Sequence, residues 1–137
     1  MRLKALVWIL RPGASGEPEV LLLQRPARRG SGEHPVTGKA DEGESARDCA
    51  GREAQEETGL TGDLVELGLV HRYSGKKGAF EEHAFLLLAS KEAEPKLSDE
   101  HISYRWATPA DARAAVHWKA HRDALDLAVN VFKDSTS

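Results

Sequence analysis

Three glutamates, Glu53, Glu56 and Glu57, stand at i, i+3 and i+4 within Gly38 to Leu60, GKADEGESARDCAGREAQEETGL, a stretch that holds most of the carboxylates suited to chemistry. That spacing makes them neighbours on one face of a helix. Ser45 has the residue type of an N-cap, Asp48 falls at the third helical position and Gly59 is placed to close the C-terminus, so the pattern predicts a helix from Ala46 to Thr58. At about 100° per residue the carboxylate face continues backward through Ala46, Cys49 and Ala50, with Asp48, Arg52 and Gln55 opposite. A charge run on a helix is ordinarily a solvated face. Here the charges prolong a stripe of small residues suited to packing on a sheet, so they repel one another beside low-dielectric material. The cluster needs a cation. Hard oxygen ligands without accompanying Cys or His suit Mg²⁺, with Mn²⁺ as the alternative, rather than zinc, and such ions serve phosphate chemistry.

Gly38, Glu44, Arg52, Glu53, Ala54, Glu56, Glu57, Gly59 and Leu60 also stand at the spacings of a known signature. The stretch resembles the Nudix hydrolases: Gly, five residues, Glu, seven residues, Arg-Glu, an aliphatic, any residue, Glu-Glu, any residue, Gly, an aliphatic. Seven fixed residues at roughly 7% usage each match by chance on the order of 10⁻⁸ per starting position. Ala54 is small for its aliphatic position, and Gly51 costs about 1 kcal/mol of helix propensity. The helix therefore relies on tertiary packing.

The resemblance implies an α/β Nudix fold, a mixed β-sheet sandwiched between α-helices. It implies hydrolysis of a nucleoside diphosphate linked to another group, by water attacking a phosphorus. By the same resemblance Arg52 orients a helix carboxylate, Glu53, Glu56 and Glu57 bind metal, Glu44 joins through water and Gly38 lets the backbone approach the metal site. Glu100, in DEHISYRW, is similar to the Glu-His pair before an aromatic residue in members that hydrolyse dihydroneopterin triphosphate, dATP or dinucleoside tetraphosphates. Glu100 and Glu82 are candidates for a further ligand or the general base. The implied catalytic set is thus Arg52, Glu56, Glu57 and Glu100, and the metal set Gly38, Glu53, Glu56, Glu57 and Glu100.

PVTGKADEGE looks most like the subgroup that releases pyrophosphate from dihydroneopterin triphosphate and dATP-like nucleotides, although Gly32-Glu33-His34 lacks the tryptophan such relatives often carry. Diadenosine tetraphosphate hydrolases, the alternative, usually have Pro-Lys-Gly where this chain has Val36-Thr37-Gly38. A non-catalytic nucleotide-binding Nudix module usually loses motif glutamates, and an isomerase branch usually departs from Arg-Glu and Glu-Glu. This chain keeps both pairs.

The elements that must hold these residues can be read in outline. Leu3 to Leu10 and Glu19 to Gln24 predict two strands joined by a Gly, Pro and Ser-rich link, their near-continuous hydrophobicity suggesting cover on both faces. Arg25 directly follows the second strand and is a candidate phosphate contact. Arg28 and Arg29 read as solvated loop charges. Pro35 to Gly38 is a short extended lead into the motif, and Lys39 beside it is a further substrate-binding candidate. Leu64 to Tyr73, Phe80 to Ala89 and Ile102 to Ala107 predict strands, with Ser74 to Ala79 a hairpin connection or a lid. Glu81 and Glu82 point to opposite sheet faces, so at most one faces the site, and Glu82 is the substrate-binding candidate. Thr108 caps a short helix with Pro109 first, running through Ala115, and Ala124, Leu125, Ala128, Val131 and Phe132 mark an amphipathic C-terminal helix.

Among six histidines no spacing groups zinc ligands, while His34 and His101 are placed to touch a base or phosphate. A chain of 137 residues suits one domain, 1–137. The net charge of −3 and dispersed cations disfavour duplex nucleic acid, whereas a small phosphorylated ligand needs only a few local cations; the resemblance implies that this partner is a small nucleotide, bound by a monomer or homodimer. Cys49, the one cysteine, excludes an internal disulfide and fits a reducing cytoplasm. It reads as a small core residue. The apolar run Ala5 to Leu10 is short for a signal-peptide core and is followed by Arg11-Pro12, and no stretch is long enough to span a bilayer.

Overall fold

Residues with no polar face to spare dictate the centre of the molecule, where two apolar strands are covered on both sides. The computed structural model describes residues 2–29, 32–101 and 103–136. In chain order the elements are β1 (Arg2–Pro12), β2 (Pro18–Gln24), a 3₁₀ turn (Ala27–Arg29), β3 (Glu33–His34), β4 (Val36–Lys39), α1 (Ala46–Thr58), β5 (Asp63–Gly75), β6 (Gly78–Leu88), β7 (Ser103–Ala107), α2 (Pro109–Ala115) and α3 (Lys119–Thr136). Ile102, where the last strand was expected to begin, lies outside the described residues, as do Gly30 and Ser31 of the arginine-rich loop.

β1 and β6 run parallel, from Arg2 opposite Phe80 to Leu10 opposite Leu88. Successive side chains point to opposite faces. Leu6, Trp8 and Leu10 with Ala84 and Leu86 therefore pack under Ala112 of α2 and Ala124, Leu125, Ala128 and Phe132 of α3. Ala5, Val7 and Ile9 with Phe85 and Leu87 pack under Cys49, Ala50 and Ala54 of α1. The result is the mixed sheet between helices, with seven strands. Ala54, small as it is, is fully buried. Trp8 also donates its indole N–H to the His121 carbonyl at 3.0 Å, pinning the start of α3 over β1.

β6 fills one edge of β1 from Arg2 to Leu10, so every other partner of β1 shares the opposite edge. At one end that partner is β2, Leu10 opposite Val20, and at the other it is β4, Lys4 opposite Lys39 through Val7 opposite Val36. β2, having left β1, takes β3 at Leu23 opposite His34 and β7 along its other edge. β1 and β2 thus diverge like a fork, and residues 33–39 fill the opening. That is what brings Gly38 beneath α1.

Both ends of α1 fall where the caps predicted. Ser45 Oγ accepts the Asp48 N–H at 3.0 Å, and Gly59, at φ 72°, donates its N–H to the Gln55 carbonyl at 2.8 Å. Thr108 and Pro109 start α2 in the same way. β5 carries a bulge between Glu66 and Val70 and pairs with β6 as far as Gly75 opposite Gly78. Ser74 to Ala79 is therefore a tight hairpin turning on Lys76 and Lys77, rather than a lid. Among the described residues no helix is long and apolar enough to cross a membrane.

Candidate active site

Arg52 organises the carboxylates. Its Nε and Nη2 donate to the two oxygens of Glu44 at 2.8 and 2.9 Å, Nη1 reaches Glu53 Oε1 at 2.9 Å and Glu56 Oε2 at 3.1 Å, and Nη2 also donates to the Lys39 carbonyl at 3.0 Å. One guanidinium thus ties the loop before α1, the end of β4 and two turns of helix. The hydrogen bonds from Arg52 first, and from the Asp41 N–H, hold the Glu44 carboxyl down to about 2. Glu56 lies on the outer side of the arginine with its side chain 59% exposed, whereas Glu53 is 15% exposed. A Cβ at Gly38 would land on the Glu53 side chain, its carboxylate carbon included, so only glycine allows this approach.

Glu57 is 3% exposed, one turn beyond Glu53. Burial first, then a hydrogen bond that the protonated Glu57 donates to Glu53 and the charge of Glu53, push the Glu57 carboxyl up to about 9. Its Oε2 is buried without a hydrogen-bond partner among the described residues. A buried carboxyl one turn from a second one, with a buried lone pair unused, makes a donor set that a divalent cation completes. The fit is good, and the residues present for it are Glu53, Glu57 and, by proximity, Glu100. The loop carrying Glu100 is fixed by α1 itself: the Lys96 N–H donates to the Thr58 carbonyl at 2.7 Å and the Ser98 N–H to the Glu57 carbonyl at 3.3 Å. Glu57, Glu100 and His101 then each present a ligand-type atom within 4.8 Å of one another. The His34 ring lies tilted against that of His101, centroids 5.0 Å apart, and donates Nδ1–H to the Pro35 carbonyl at 2.6 Å. Burial, and then the Arg25 charge, lower its pKa to about 3, so this imidazole is neutral and interior. Cys49 is buried, and desolvation raises its thiol to about 11, far from a nucleophile.

On the opposite face of the sheet lies a cleft of about 490 Å³ lined by Lys4, Arg25, Tyr73, Glu82, Trp118 and His121, among others. Arg25 joins the two sides. It follows β2 at the fork, its Nη2 stands 3.4 Å from Thr37 Oγ1, and its charge acts on Glu57 as well as on His121. Glu82, 6% exposed, sits in the cleft with its Oε2 3.8 Å from Lys4 Nζ, and burial raises its pKa against the pull of that lysine. Glu81, on the other face, is bound by Arg72 and His83. Lys39 Nζ stands 5.4 Å from the Phe80 ring, where Arg2 and Lys4 also converge, and the Lys77 charge lowers its pKa.

The structure thus brings Gly38, Arg52, Glu53, Glu57 and Glu100 together, leaves Glu56 on the rim, and places Lys39 and Glu82 on the cleft side. Sequence reasoning missed Lys4, Tyr73, Trp118 and His121. For Lys4 a signal existed, since a lysine inside LKALVWIL interrupts a strand otherwise buried on both faces.

A forked mixed sheet that seats a glycine beneath an arginine-braced carboxylate helix, with a cleft on its other face, defines an α/β protein with a candidate cation site. The NUDIX domain family matches residues 1–128, and the chain belongs to that family. An octanoyltransferase of Myxococcus xanthus is 30% identical over 120 residues, 85% of this chain but 34% of that protein. The chain spans about a third of that relative's length, and the relative's name describes the longer protein. Among solved structures, a C. elegans Ap4A hydrolase in a binary complex superposes with a TM-score of 0.83 at 23% identity, covering 98% of this chain and 99% of that one. The E. coli dihydroneopterin triphosphate pyrophosphohydrolase gives 0.79 at 24%, covering 94% and 95%. At these identities the likeness is one of fold.

Proposed function

We propose that the protein is a divalent-metal-dependent pyrophosphohydrolase of nucleoside triphosphate-type substrates, with the base in the cleft and the phosphates running past Arg25 to α1. The observation that carries this reading is Glu53, packed over Gly38 and braced by Arg52, one turn from the buried Glu57, whose Oε2 has no hydrogen-bond partner among the described residues. Mg²⁺, or Mn²⁺, held by Glu53, Glu57 and Glu100 would neutralise phosphate charge and lower the pKa of the attacking water. Arg52 keeps Glu53 aimed inward, and Glu56 adds negative charge at the rim. Arg25, between cleft and carboxylates, holds a phosphate through a charge-assisted hydrogen bond. Glu100, exposed and next to Glu57, is placed to take the proton of the attacking water. One P–O bond forms to the water oxygen, one anhydride P–O bond breaks, and pyrophosphate leaves. A reducing cytoplasm suits the single buried thiol of Cys49.

A second reading, a dinucleoside polyphosphate hydrolase, is favoured by the cations Arg2, Lys4 and Lys39 gathered around Phe80, with the Lys77 charge acting on Lys39, which suit a longer phosphate chain. The experiment is a substrate panel of nucleoside triphosphates, dinucleoside polyphosphates and ADP-sugars, with Mg²⁺ and with excess EDTA. Metal-dependent pyrophosphate release from triphosphates is expected. Full activity in chelator overturns the mechanism, and binding without turnover of any member points to a sensor module.

A further inference from the structure

Glu82 has no part in the hydrolysis itself, yet it is a carboxylate buried at the cleft, on the face turned away from the α1 glutamates. Its position is set by register. Glu82 of β6 lies opposite Lys4 of β1 and opposite His71 of β5, so its parity sends it to the α3 side. Lys4 Nζ is 3.8 Å away and donates to Tyr73 Oη at 3.0 Å, which leaves two of the three ammonium hydrogens for other acceptors. His121, its Nδ1 buried without a hydrogen-bond partner among the described residues, stands in the same wall, and Trp118, 63% exposed, forms part of the rim.

We propose that Glu82 and Lys4 read the base, and that the preferred substrate carries an amino-lactam ring, as in guanine or a pterin, whose two adjacent N–H groups pair with the Glu82 carboxylate while its carbonyl accepts from Lys4. The inference rests on the reading that the cleft takes the base. An ionised carboxylate only accepts, so a partner that meets both its oxygens must offer two parallel donors. Among common bases the amino-lactam edge alone does so. Adenine and cytosine set a ring-nitrogen lone pair beside their amino group, and uracil flanks its single N–H with two carbonyls. Each would turn a lone pair toward a buried carboxylate oxygen, which rejects the wrong base as well as failing to bind it. Two N–H donors also favour the charged form of Glu82 against its burial. Trp118 supplies a ring face for stacking, which any base satisfies, so the choice falls to the edge.

The test is equilibrium binding of GMP and AMP by calorimetry in EDTA, where no hydrolysis runs. The wild type should bind GMP about ten- to a hundredfold more tightly than AMP, the range for hydrogen bonds to a charged group. Glu82→Gln replaces two acceptors by one acceptor and one donor, the pattern that pairs with adenine. It should weaken GMP by a similar factor and strengthen AMP. Guanosine and neopterin, matched in lacking phosphate, tell which source of the ring the cleft prefers, and either choice over adenosine supports the proposal. Equal or tighter AMP binding by the wild type overturns it without recourse to any variant, as does an unchanged GMP to AMP ratio in a folded Glu82→Gln. A protein that binds GMP selectively but hydrolyses nothing would refute the hydrolase reading and leave this one standing.

Discussion

Glu57→Gln separates the metal-binding role of α1 from its structural one. In the metal-free protein the Glu57 carboxyl is pushed up to about 9, so at pH 7 it is already neutral and the amide reproduces both its shape and its charge. A raised carboxyl contributes stability that is fully present below the unfolded value, about 4.5, and is lost as pH rises through the folded one. Between pH 7 and 9 the wild type in EDTA should therefore lose stability as the pH rises, on the order of 1 to 3 kcal/mol, while the variant stays flat and melts higher. Binding of Mg²⁺ must expel the same proton. Wild-type affinity should rise about tenfold per pH unit across that window, with about one proton released per ion at pH 7, and the variant should release none. If the carboxylate also holds a catalytic ion, kcat should fall by a factor on the order of 10², or about 2.7 kcal/mol. Calorimetry in two buffers of different ionisation enthalpy counts the protons, and single-turnover hydrolysis measures the chemistry. No proton release, pH-independent affinity between 7 and 9, or wild-type turnover in the variant would refute the reasoning.

Three further outcomes follow from the same geometry. Gly38→Ala should push Glu53 out of place and cut turnover far more than it lowers the melting temperature in EDTA, since the clash is with a side chain's end; equal losses in both would mean a merely structural glycine. Arg25→Ala should raise KM more than it lowers kcat, because a phosphate contact acts on ground and transition states alike, and an unchanged KM would make it a bystander. His34 and His121, lowered by burial to about 3 and about 4, fold as neutral rings, so the stability they permit is present above about 6.5 and lost as pH falls below it. By pH 4.5 each should cost about 2 to 3 kcal/mol, and urea midpoints of His34→Gln and His121→Gln should fall less steeply with acid than those of the wild type.

Local chemistry made α1 legible to the residue. Ser45, Gly59, Thr108 and Pro109 act within one turn of the bonds they make, so their spacing alone sets the helix ends. The inward carboxylate face was legible for the same reason, because i, i+3 and i+4 is a property of the helix and needs no partner. What the sequence hid depends on pairing across long separations. Nothing in Glu33 to Lys39 announces that it will be divided between β2 and β1, and nothing in Glu82 announces a lysine 78 positions earlier as its neighbour. The cations around Phe80 read as dispersed along the chain because β1 and β4 each bring part of them. Trp118 stood outside every periodic pattern, in the link between two helices.

The strict alternation along β1 and β6 has a consequence for how such a protein can change. Odd positions of β1 support the helix that would hold the metal, and even ones, Lys4 among them, line or support the cleft, so neighbouring codons answer to different tasks. A substitution at Lys4 or Glu82 can retune which ring is accepted without disturbing the carboxylates beneath α1. Point mutation can thus explore new ligands at little risk to the chemistry. A one-residue deletion in either strand has the opposite character, since it exchanges the faces and spoils both tasks together.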